Sequence, residues 1–187
     1  MTYITDYLAE TAQLVSTVNV LPIARAVDEL VALKKRNGRL YIVGNGGSAA
    51  NASHAVNDFR KIADLRTYTP MDNVAELTAW INDSNWEDSL LGWGATEGIC
   101  ANDMIMVLSV GGGSMATSVN LTKFVALAKM WNVLVVSIVS RNGGYLKNYS
   151  DVCILLPVVN EKRVTPHAEE GQSIILHLLV NAMMEQP

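Results

Sequence analysis

Strand and helix signals alternate along almost the whole chain, and this alternation restricts the fold more than any other feature of the sequence. The candidate strands are solid apolar runs, as expected for strands that are buried on both faces of a parallel sheet. They cover residues 39–44, 65–71, 104–109, 133–139 and 152–157. Five such runs, separated by helical segments, predict an α/β fold with a doubly wound, five-stranded parallel sheet flanked by helices.

Apolar residues at helical spacing fill the segments between the strands. Two predicted helices, 4–18 and 23–35, precede the first strand, and Asn37-Gly38 ends the second helix. Further helices, each long enough to connect parallel strands or to cover the sheet, are predicted over residues 48–63, 85–99, 114–131 and 168–184. Because no repeat, low-complexity tract or linker interrupts this order, we expect a single domain over residues 1–187.

Composition and charge exclude several kinds of protein. Half of the residues are apolar and 17% are charged, which provides a core and argues against a disordered chain. The formal net charge is −4 and the Lys and Arg residues form no basic stripe, so we expect no direct binding to nucleic acid. The apolar runs are too short to cross a bilayer, and residues 1–10 lack the features of a signal peptide. We therefore expect a cytoplasmic protein, and the low charged fraction favours an oligomer.

Two glycine-rich loops with hydroxyl side chains follow predicted strands. The first is Gly44-Asn45-Gly46-Gly47-Ser48, and the second is Ser109-Val110-Gly111-Gly112-Gly113-Ser114. Glycines allow the backbone to approach a ligand, and free amides at the start of a helix can face an anion. Each loop alone is more simply a tight turn whose serine caps a helix, but two such loops in one sheet favour a shared phosphate site. Neither loop has the Walker A or GxGxxG pattern, so nucleotide binding is disfavoured.

A histidine and a carboxylate follow the first loop on a predicted helix. His54 and Asp58 are four residues apart, so their side chains share one helix face and could share a metal ion or a proton. Near the end of the chain, His177 lies among leucines and isoleucines, where an imidazole needs a partner. A hydrogen bond from His177 to a core carbonyl is the alternative to a functional role.

Glu169 lies eight residues before His177 on the same predicted helix. Eight residues of ideal helix separate the two by about 12 Å, so a joint metal site would require a bend, for which Gly171 is the candidate. Glu169 and Glu170 could instead be favourable charges at the start of a helix. His167 follows Thr165-Pro166 in a loop-like stretch, and we expect it to be exposed to solvent.

The two loops, together with Leu77-Thr78-Ala79, Asn82-Asp83 and the helix over residues 169–177, resemble the phosphoheptose isomerases of the sugar isomerase (SIS) family. The resemblance extends over nearly the whole chain. It implies a five-stranded parallel sheet and a homotetramer with active sites between subunits. It also implies a phosphate site that contains Ser48, Ser109 and Ser114 beside Gly46, Gly47 and Gly111, and an open-chain sugar positioned by Asn45 and Asp83.

The resemblance further implies a reaction and a metal. Asp58 and His177 would transfer protons through an enediol, and His54, Asp58, Glu169 and His177 would bind zinc. The implied reaction converts sedoheptulose 7-phosphate to D-glycero-D-manno-heptose 7-phosphate, a step of lipopolysaccharide or capsule heptose synthesis.

Four positions depart from the family pattern. Asp58 stands where the family has glutamate, Glu169 where it has glutamine, and Val110 and Gly111 where it has threonine and serine. Asp58 retracts its carboxylate by about 1.5 Å relative to glutamate, and a shift of this size can cost about a hundredfold in rate. One alternative is therefore that the protein is an isomerase for a different sugar phosphate. Another is that it is a non-catalytic adaptor that binds a replication initiator or another regulatory protein.

Overall fold

The computed structural model describes residues 2–185, in which helices and strands alternate along the chain. The helices are α1 (Thr2–Thr17), α2 (Val20–Lys35), α3 (Gly47–Lys61), α4 (Val74–Asp83), α5 (Ser89–Thr96), α6 (Val119–Met130), α7 (Gly144–Tyr149) and α8 (Val164–Met184). The strands are β1 (Leu40–Gly44), β2 (Thr67–Tyr68), β3 (Met104–Ser109), β4 (Leu134–Val139) and β5 (Val152–Leu155). Among residues 2–185, no helix combines the length and the apolar character needed to cross a bilayer.

All strands pair in parallel in one sheet, in the order β2-β1-β3-β4-β5. The predicted fold class, the five parallel strands and the two preceding helices are confirmed. The chain continues from β1 to one edge of the sheet and later places β3 on the other side of β1. Since the strand order reverses between β1 and β3, the loops that follow these two strands border a crevice, the usual ligand position in such sheets.

Helices cover both faces of the sheet, which explains the solid apolar runs. Along β1, Leu40 and Ile42 pack in a cluster with residues of α2, α3 and α8, whereas Tyr41 and Val43 pack in a cluster with residues of α5, α6 and α7. All four side chains are fully buried. Each fully buried side chain of this size stabilises the fold by about 1.5–3 kcal/mol, so apolar residues predominate on both faces of the central strands. Ser137 of β4 is an exception: it is fully buried and accepts a hydrogen bond from Ser150 Oγ at 2.9 Å.

Some predicted element boundaries were wrong. The strand predicted over 65–71 is only Thr67–Tyr68, an edge strand that pairs with β1 alone. Pro70, two residues after Tyr68, starts a short 3-10 turn and has no backbone N–H to extend the pairing. The helix predicted over 114–131 begins only at Val119, because two glycines in left-handed conformation, Gly112 and Gly113, first turn the chain.

Two helices were not predicted from the sequence. In α4 no residue is buried, so this short helix does not cover the sheet. In α7 only Leu146 is buried, and six residues are too few to show helical spacing. Periodicity therefore detected the long helices that cover the sheet and missed these two peripheral ones.

The exposure predicted for His167 was wrong. Helix α8 begins at Val164, so Pro166 lies in the first helical turn. The backbone N–H that proline lacks would have no partner within the helix at this position, so proline is tolerated there. His167 is 2% exposed, and its ring packs on that of Tyr7 from α1 with 4.6 Å between ring centroids. The N-terminal helix covers this histidine, and sequence spacing gives no sign of that contact.

Candidate active site

The two glycine-rich loops line one cavity at the carboxyl end of the sheet. The cavity has a volume of about 430 Å³. The first loop contributes Asn45 and Ser48, and the second contributes Ser109, Val110, Gly111, Gly113 and Ser114. The remaining lining residues are Thr117, Ser118, Arg141 and Thr165. The two loops therefore converge on one space, as a shared ligand requires.

The first loop leads directly into α3 and leaves helix amides free. Gly46 adopts φ +59° and ψ −127°, and no side chain caps the helix start. The backbone N–H groups of Gly47 and Ser48 have no acceptor among residues 2–185. Free amides and the positive end of the helix dipole together favour an anion at this point. The Ser48 side chain is 2% exposed and lines the same cavity.

In the second loop, serine oxygens organise the backbone. The Ser109 Oγ accepts a hydrogen bond from the Gly112 amide at 3.1 Å. The Ser114 Oγ accepts from the amides of Ala116 at 3.2 Å and Thr117 at 3.1 Å, so Ser114 caps a turn and not helix α6. A hydroxyl that accepts such bonds keeps its own O–H to donate. Both serines can therefore donate to an anion in the cavity.

A pair of amides connects the first loop with α6. Asn45 Nδ2 donates to Asn120 Oδ1 at 3.0 Å, and Asn120 Nδ2 donates to Asn45 Oδ1 at 2.9 Å. Asn120 is 1% exposed. The reciprocal pair fixes the orientation of the Asn45 amide at the edge of the cavity and leaves it one donor hydrogen and one lone pair for a ligand.

His54, Asp58 and His177 come together between α3 and α8, and none of the three lines the cavity. The Nε2 atoms of His54 and His177 lie 3.0 Å apart. Asp58 Oδ2 lies 3.3 Å from the His54 Nε2 and 3.4 Å from the His177 Nε2. Both imidazoles are about half exposed, whereas the Asp58 side chain is 13% exposed. His177 is thus a solvent-accessible partner of α3 and not a core histidine.

These three donor atoms fit a tetrahedral metal ion. Ligands that bind zinc at about 2.0–2.1 Å in tetrahedral geometry lie about 3.3–3.4 Å from one another. The observed separations of 3.0, 3.3 and 3.4 Å are close to that triangle. Two imidazoles and a carboxylate are also ligands that zinc prefers. Without a metal, the two facing Nε2 atoms can instead share one proton, since one must donate and the other accept.

Glu169 lies outside this group. Helix α8 is one continuous α-helix from Val164 to Met184, so its backbone is not interrupted at Gly171 in a way that would bring Glu169 to His177. A Cβ placed on Gly47 would overlap the Glu169 carboxylate, which shows that this carboxylate lies against the start of α3. Among the described residues, the possible metal-binding group contains His54, Asp58 and His177.

Asp83 also lies outside the cavity. It is the last residue of α4, it is exposed, and its carboxylate accepts a hydrogen bond from the Asn82 side chain at 2.9 Å. It does not belong to the lining residues described above. Within this chain, Asp83 therefore has no contact that would position a sugar in the cavity.

A charged network holds the start of α8 against α1. Glu10 accepts hydrogen bonds from Arg163 Nε at 2.7 Å, His167 Nε2 at 2.8 Å and Asn160 Nδ2 at 2.7 Å. The bonds from Arg163 and then His167 lower the pKa of Glu10 to about 2. On the other side of His167, Tyr7 donates to Glu170, and this bond raises the pKa of Tyr7 to about 12. The network positions the helix that carries Glu169 and His177.

Sequence reasoning missed four residues that line the cavity, Thr117, Ser118, Arg141 and Thr165, and also Asn120, which bonds to Asn45. Asn120 carries no signal of its own, because an asparagine within a helix is unremarkable. Arg141 is the second residue after β4, in the loop that leads to α7. Its place after the carboxyl end of a parallel strand could have marked Arg141 as a ligand candidate, by the argument that identified the two glycine-rich loops.

Comparison with known proteins supports a relationship over most of the chain. No family model matches the sequence. The chain is 32% identical over 154 residues to the lincomycin biosynthesis protein LmbN of Streptomyces lincolnensis, covering 76% of this chain and 54% of that protein. The chain thus spans about half the length of LmbN. It is 27% identical over 197 residues to the phosphoheptose isomerase of Aneurinibacillus thermoaerophilus, covering 97% of this chain and 93% of that protein.

A solved structure has the same fold. The structure of the phosphoheptose isomerase GmhA from Neisseria gonorrhoeae superposes with a TM-score of 0.82, over 98% of this chain and 96% of that chain, at 20% sequence identity. The likeness includes the two helices before the sheet, since nearly all of both chains is aligned. The similarity predicted from the two loops and the last helix is therefore confirmed over the length of the chain.

Proposed function

Because the chain is a phosphoheptose isomerase-like protein with the sugar isomerase (SIS) fold, we propose that it is an aldose–ketose isomerase of sugar phosphates. One observation carries the proposal. Helix α3 has the phosphate cavity at its start, and it carries His54 and Asp58 further along the same helix. A sugar phosphate bound at the helix start would thus extend toward groups that can move protons.

The spacing along α3 suits the length of an open-chain sugar. The six residues from Ser48 to His54 advance by about 9 Å along the helix. A six- or seven-carbon chain with bonds of about 1.5 Å, extended from its phosphate, has a similar length of roughly 8–10 Å. Sedoheptulose 7-phosphate is therefore the first substrate to test, with D-glycero-D-manno-heptose 7-phosphate as the product.

In the proposed mechanism, the phosphate docks at the two loops and orients C1 and C2 of the sugar toward Asp58 and His177. Asp58 Oδ2 accepts the proton from the carbon beside the carbonyl and returns it to the adjacent carbon, so that an enediol forms and collapses. His177 Nε2 moves the other proton between the two oxygens. The phosphate contacts act mainly by holding the reacting carbons in place.

The proposed metal ligands are His54, Asp58 and His177. The proposed set excludes Glu169, whose carboxylate lies against Gly47. A bound zinc ion would supply Lewis acidity for the sugar carbonyl. Three protein ligands leave a position for substrate or water, as in catalytic zinc sites. Binding of a metal would also limit the freedom of Asp58 and His177 as proton carriers, so activity is to be compared with added zinc and with a chelator.

The test of this function uses Asp58→Asn and His177→Ala. We expect both variants to lose turnover of sedoheptulose 7-phosphate, because each lacks one of the two proton-transferring groups, while their melting temperatures stay close to that of the wild type. Formation of the aldose phosphate is measured by chromatography, with and without zinc. Lys61→Ala, at an exposed position on the same helix with no contact to Asp58 or His177 among the described residues, serves as the control and should retain turnover.

Wild-type turnover in both Asp58→Asn and His177→Ala would refute the mechanism. No product from the wild-type chain with five-, six- or seven-carbon ketose phosphates, under either metal condition, would refute the enzymatic function. Measured binding of those sugar phosphates without turnover would then favour a non-catalytic protein of this fold.

A further inference from the structure

The loop after β4 is fixed against the second glycine-rich loop. The Ser140 amide donates to the Val110 carbonyl at 3.0 Å, the Tyr145 amide to Gly113 at 3.0 Å, and the Leu146 amide to Gly112 at 2.9 Å. Arg141 lies within this loop and lines the cavity that Ser48 and Ser109 also line. Its backbone is therefore held in place relative to the candidate phosphate site by three hydrogen bonds.

Arg141 is the single charged residue among the described residues that line the cavity. In residues 2–185 its guanidinium has no hydrogen bond and no ion pair. By contrast, Arg39 is bound to Asp103 at 2.7 Å and Arg163 is bound to Glu10. A guanidinium offers five N–H donors in a planar arrangement that matches a phosphate, and here all five are available.

The second loop has few side-chain donors next to Arg141. Val110 is apolar, and Gly111 has no side chain. A Cβ placed on Gly111 would meet only the Arg141 Cδ, at 4.0 Å. The space beside Gly111 is thus open toward Arg141, and a ligand there would find the guanidinium in place of a hydroxyl group.

From this arrangement we infer that Arg141 binds the substrate phosphate across the gap at Gly111 and supplies the donors that the second loop lacks. The inference rests on the proposed function for the identity of the substrate, but the anion site itself does not depend on catalysis. Two parallel N–H···O bonds to a phosphate dianion are among the stronger polar contacts, because both partners are charged. Arg141 is thereby assigned as a binding residue that selects phosphorylated sugars.

The experiment measures binding of inorganic phosphate to the full chain by calorimetry. We expect Arg141→Ala to raise the dissociation constant by about tenfold or more, the usual weight of a charge-assisted contact. Lys147→Ala is the control: it also removes one exposed positive charge from this part of the surface, from a side chain that does not line the cavity. It should change the dissociation constant by less than about twofold, as expected of an unpaired surface charge.

A rescue variant tests the geometry. The Cβ of a serine at position 111 fits without overlap, and its hydroxyl would occupy the gap beside Arg141. Adding Gly111→Ser to Arg141→Ala should therefore recover part of the lost phosphate affinity. Gly112→Ser is the matched control, since a Cβ on Gly112 would overlap the Gly143 carbonyl and should recover nothing. Melting temperatures establish that each variant is folded.

Each outcome bears on the inference separately from the proposed function. Unchanged phosphate affinity in Arg141→Ala overturns it, as does an equal loss in Lys147→Ala or no detectable phosphate binding by the wild type at millimolar concentrations. Phosphate binding that depends on Arg141, in a wild-type chain without turnover, supports the inference and refutes the proposed function. If the wild type turns over the substrate and Arg141→Ala leaves the Michaelis constant unchanged, the proposed function is supported and the inference about Arg141 is refuted.

Discussion

At the scale of single residues, Asp58 in the candidate site is the most informative departure from the phosphoheptose isomerase pattern. Asp58 is one methylene shorter than the glutamate that the resemblance implies at this position. Its Oδ2 nevertheless lies 3.3 Å and 3.4 Å from the two imidazoles. The spacing of α3 and α8 in this chain therefore already accommodates the shorter side chain.

Asp58→Glu is expected to lower turnover. The added bond of about 1.5 Å would move the carboxylate away from its present contacts with His54 and His177 or force the helices apart. Displacement by about 1 Å can reduce a rate by about a hundredfold, and we expect a loss of about ten- to a hundredfold in kcat. The loss is measured by comparing steady-state kcat values of the wild type and Asp58→Glu with sedoheptulose 7-phosphate. Faster turnover than the wild type would mean that the site favours the longer acid.

At the scale of elements, the packing of α1 on α8 orders the helix that carries His177. Tyr7 and Glu10 of α1 contact His167, Glu170 and Arg163 at the start of α8. On the opposite side of α8, Asn51 of α3 donates to the Glu169 carbonyl at 2.8 Å. Helix α8 is thus held from two directions, and its position determines where His177 meets α3.

The network around Glu10 predicts a stability that depends on pH. Its pKa is lowered from 4.5 to about 2 by Arg163 and His167. A carboxylate with a depressed folded-state pKa stabilises the fold fully above its unfolded pKa and loses this contribution as the pH falls toward the folded value. Glu10→Gln should therefore lower the melting temperature at pH 7, and its difference from the wild type should shrink between pH 4.5 and about 2.

Thermal unfolding monitored by circular dichroism across this pH range provides the measurement. Glu161→Gln is the control, since Glu161 is exposed and has no hydrogen bond or ion pair within residues 2–185. If the difference in melting temperature between the wild type and Glu10→Gln stays constant down to pH 2, the stabilising role assigned to ionised Glu10 is contradicted.

At the scale of the whole molecule, apolar side chains remain uncovered on α1 and α4. Ile4, Leu8 and Val15 form a stripe along α1 and are 64%, 64% and 44% exposed. No residue of α4 is buried. Apolar surface arranged in this way favours association between copies, in line with the oligomer predicted from the low charged fraction.

Leu8→Asp is expected to shift the protein to a smaller assembly. A charge in the centre of the α1 stripe would have to be buried without a partner if a second copy covered it. Light scattering coupled to size-exclusion chromatography measures the mass of each species. Gln13→Asp places the same charge on the other side of α1 and should leave the mass unchanged. A wild-type chain that elutes as a monomer would refute the prediction.

The local pattern of apolar and polar residues was sufficient to predict most of the architecture. Runs such as 104–109 and 133–139 are apolar at all positions except Ser109 and Ser137, because helices cover both faces, and this property is visible in the residues themselves. The two glycine-rich loops were likewise recognisable, since the ends of adjacent parallel strands must lie side by side. His54 and Asp58 share a helix face by their spacing alone.

Contacts between distant parts of the chain were decided only by tertiary structure. His177 reaches His54 and Asp58 because α8 packs on α3, whereas Glu169, eight residues earlier, is directed to the start of that helix. The burial of His167 depends on α1, and the place of Arg141 depends on how its loop bonds to the second glycine-rich loop. Periodicity records which face of an element is buried, but the packing of side chains between elements determines what that face meets.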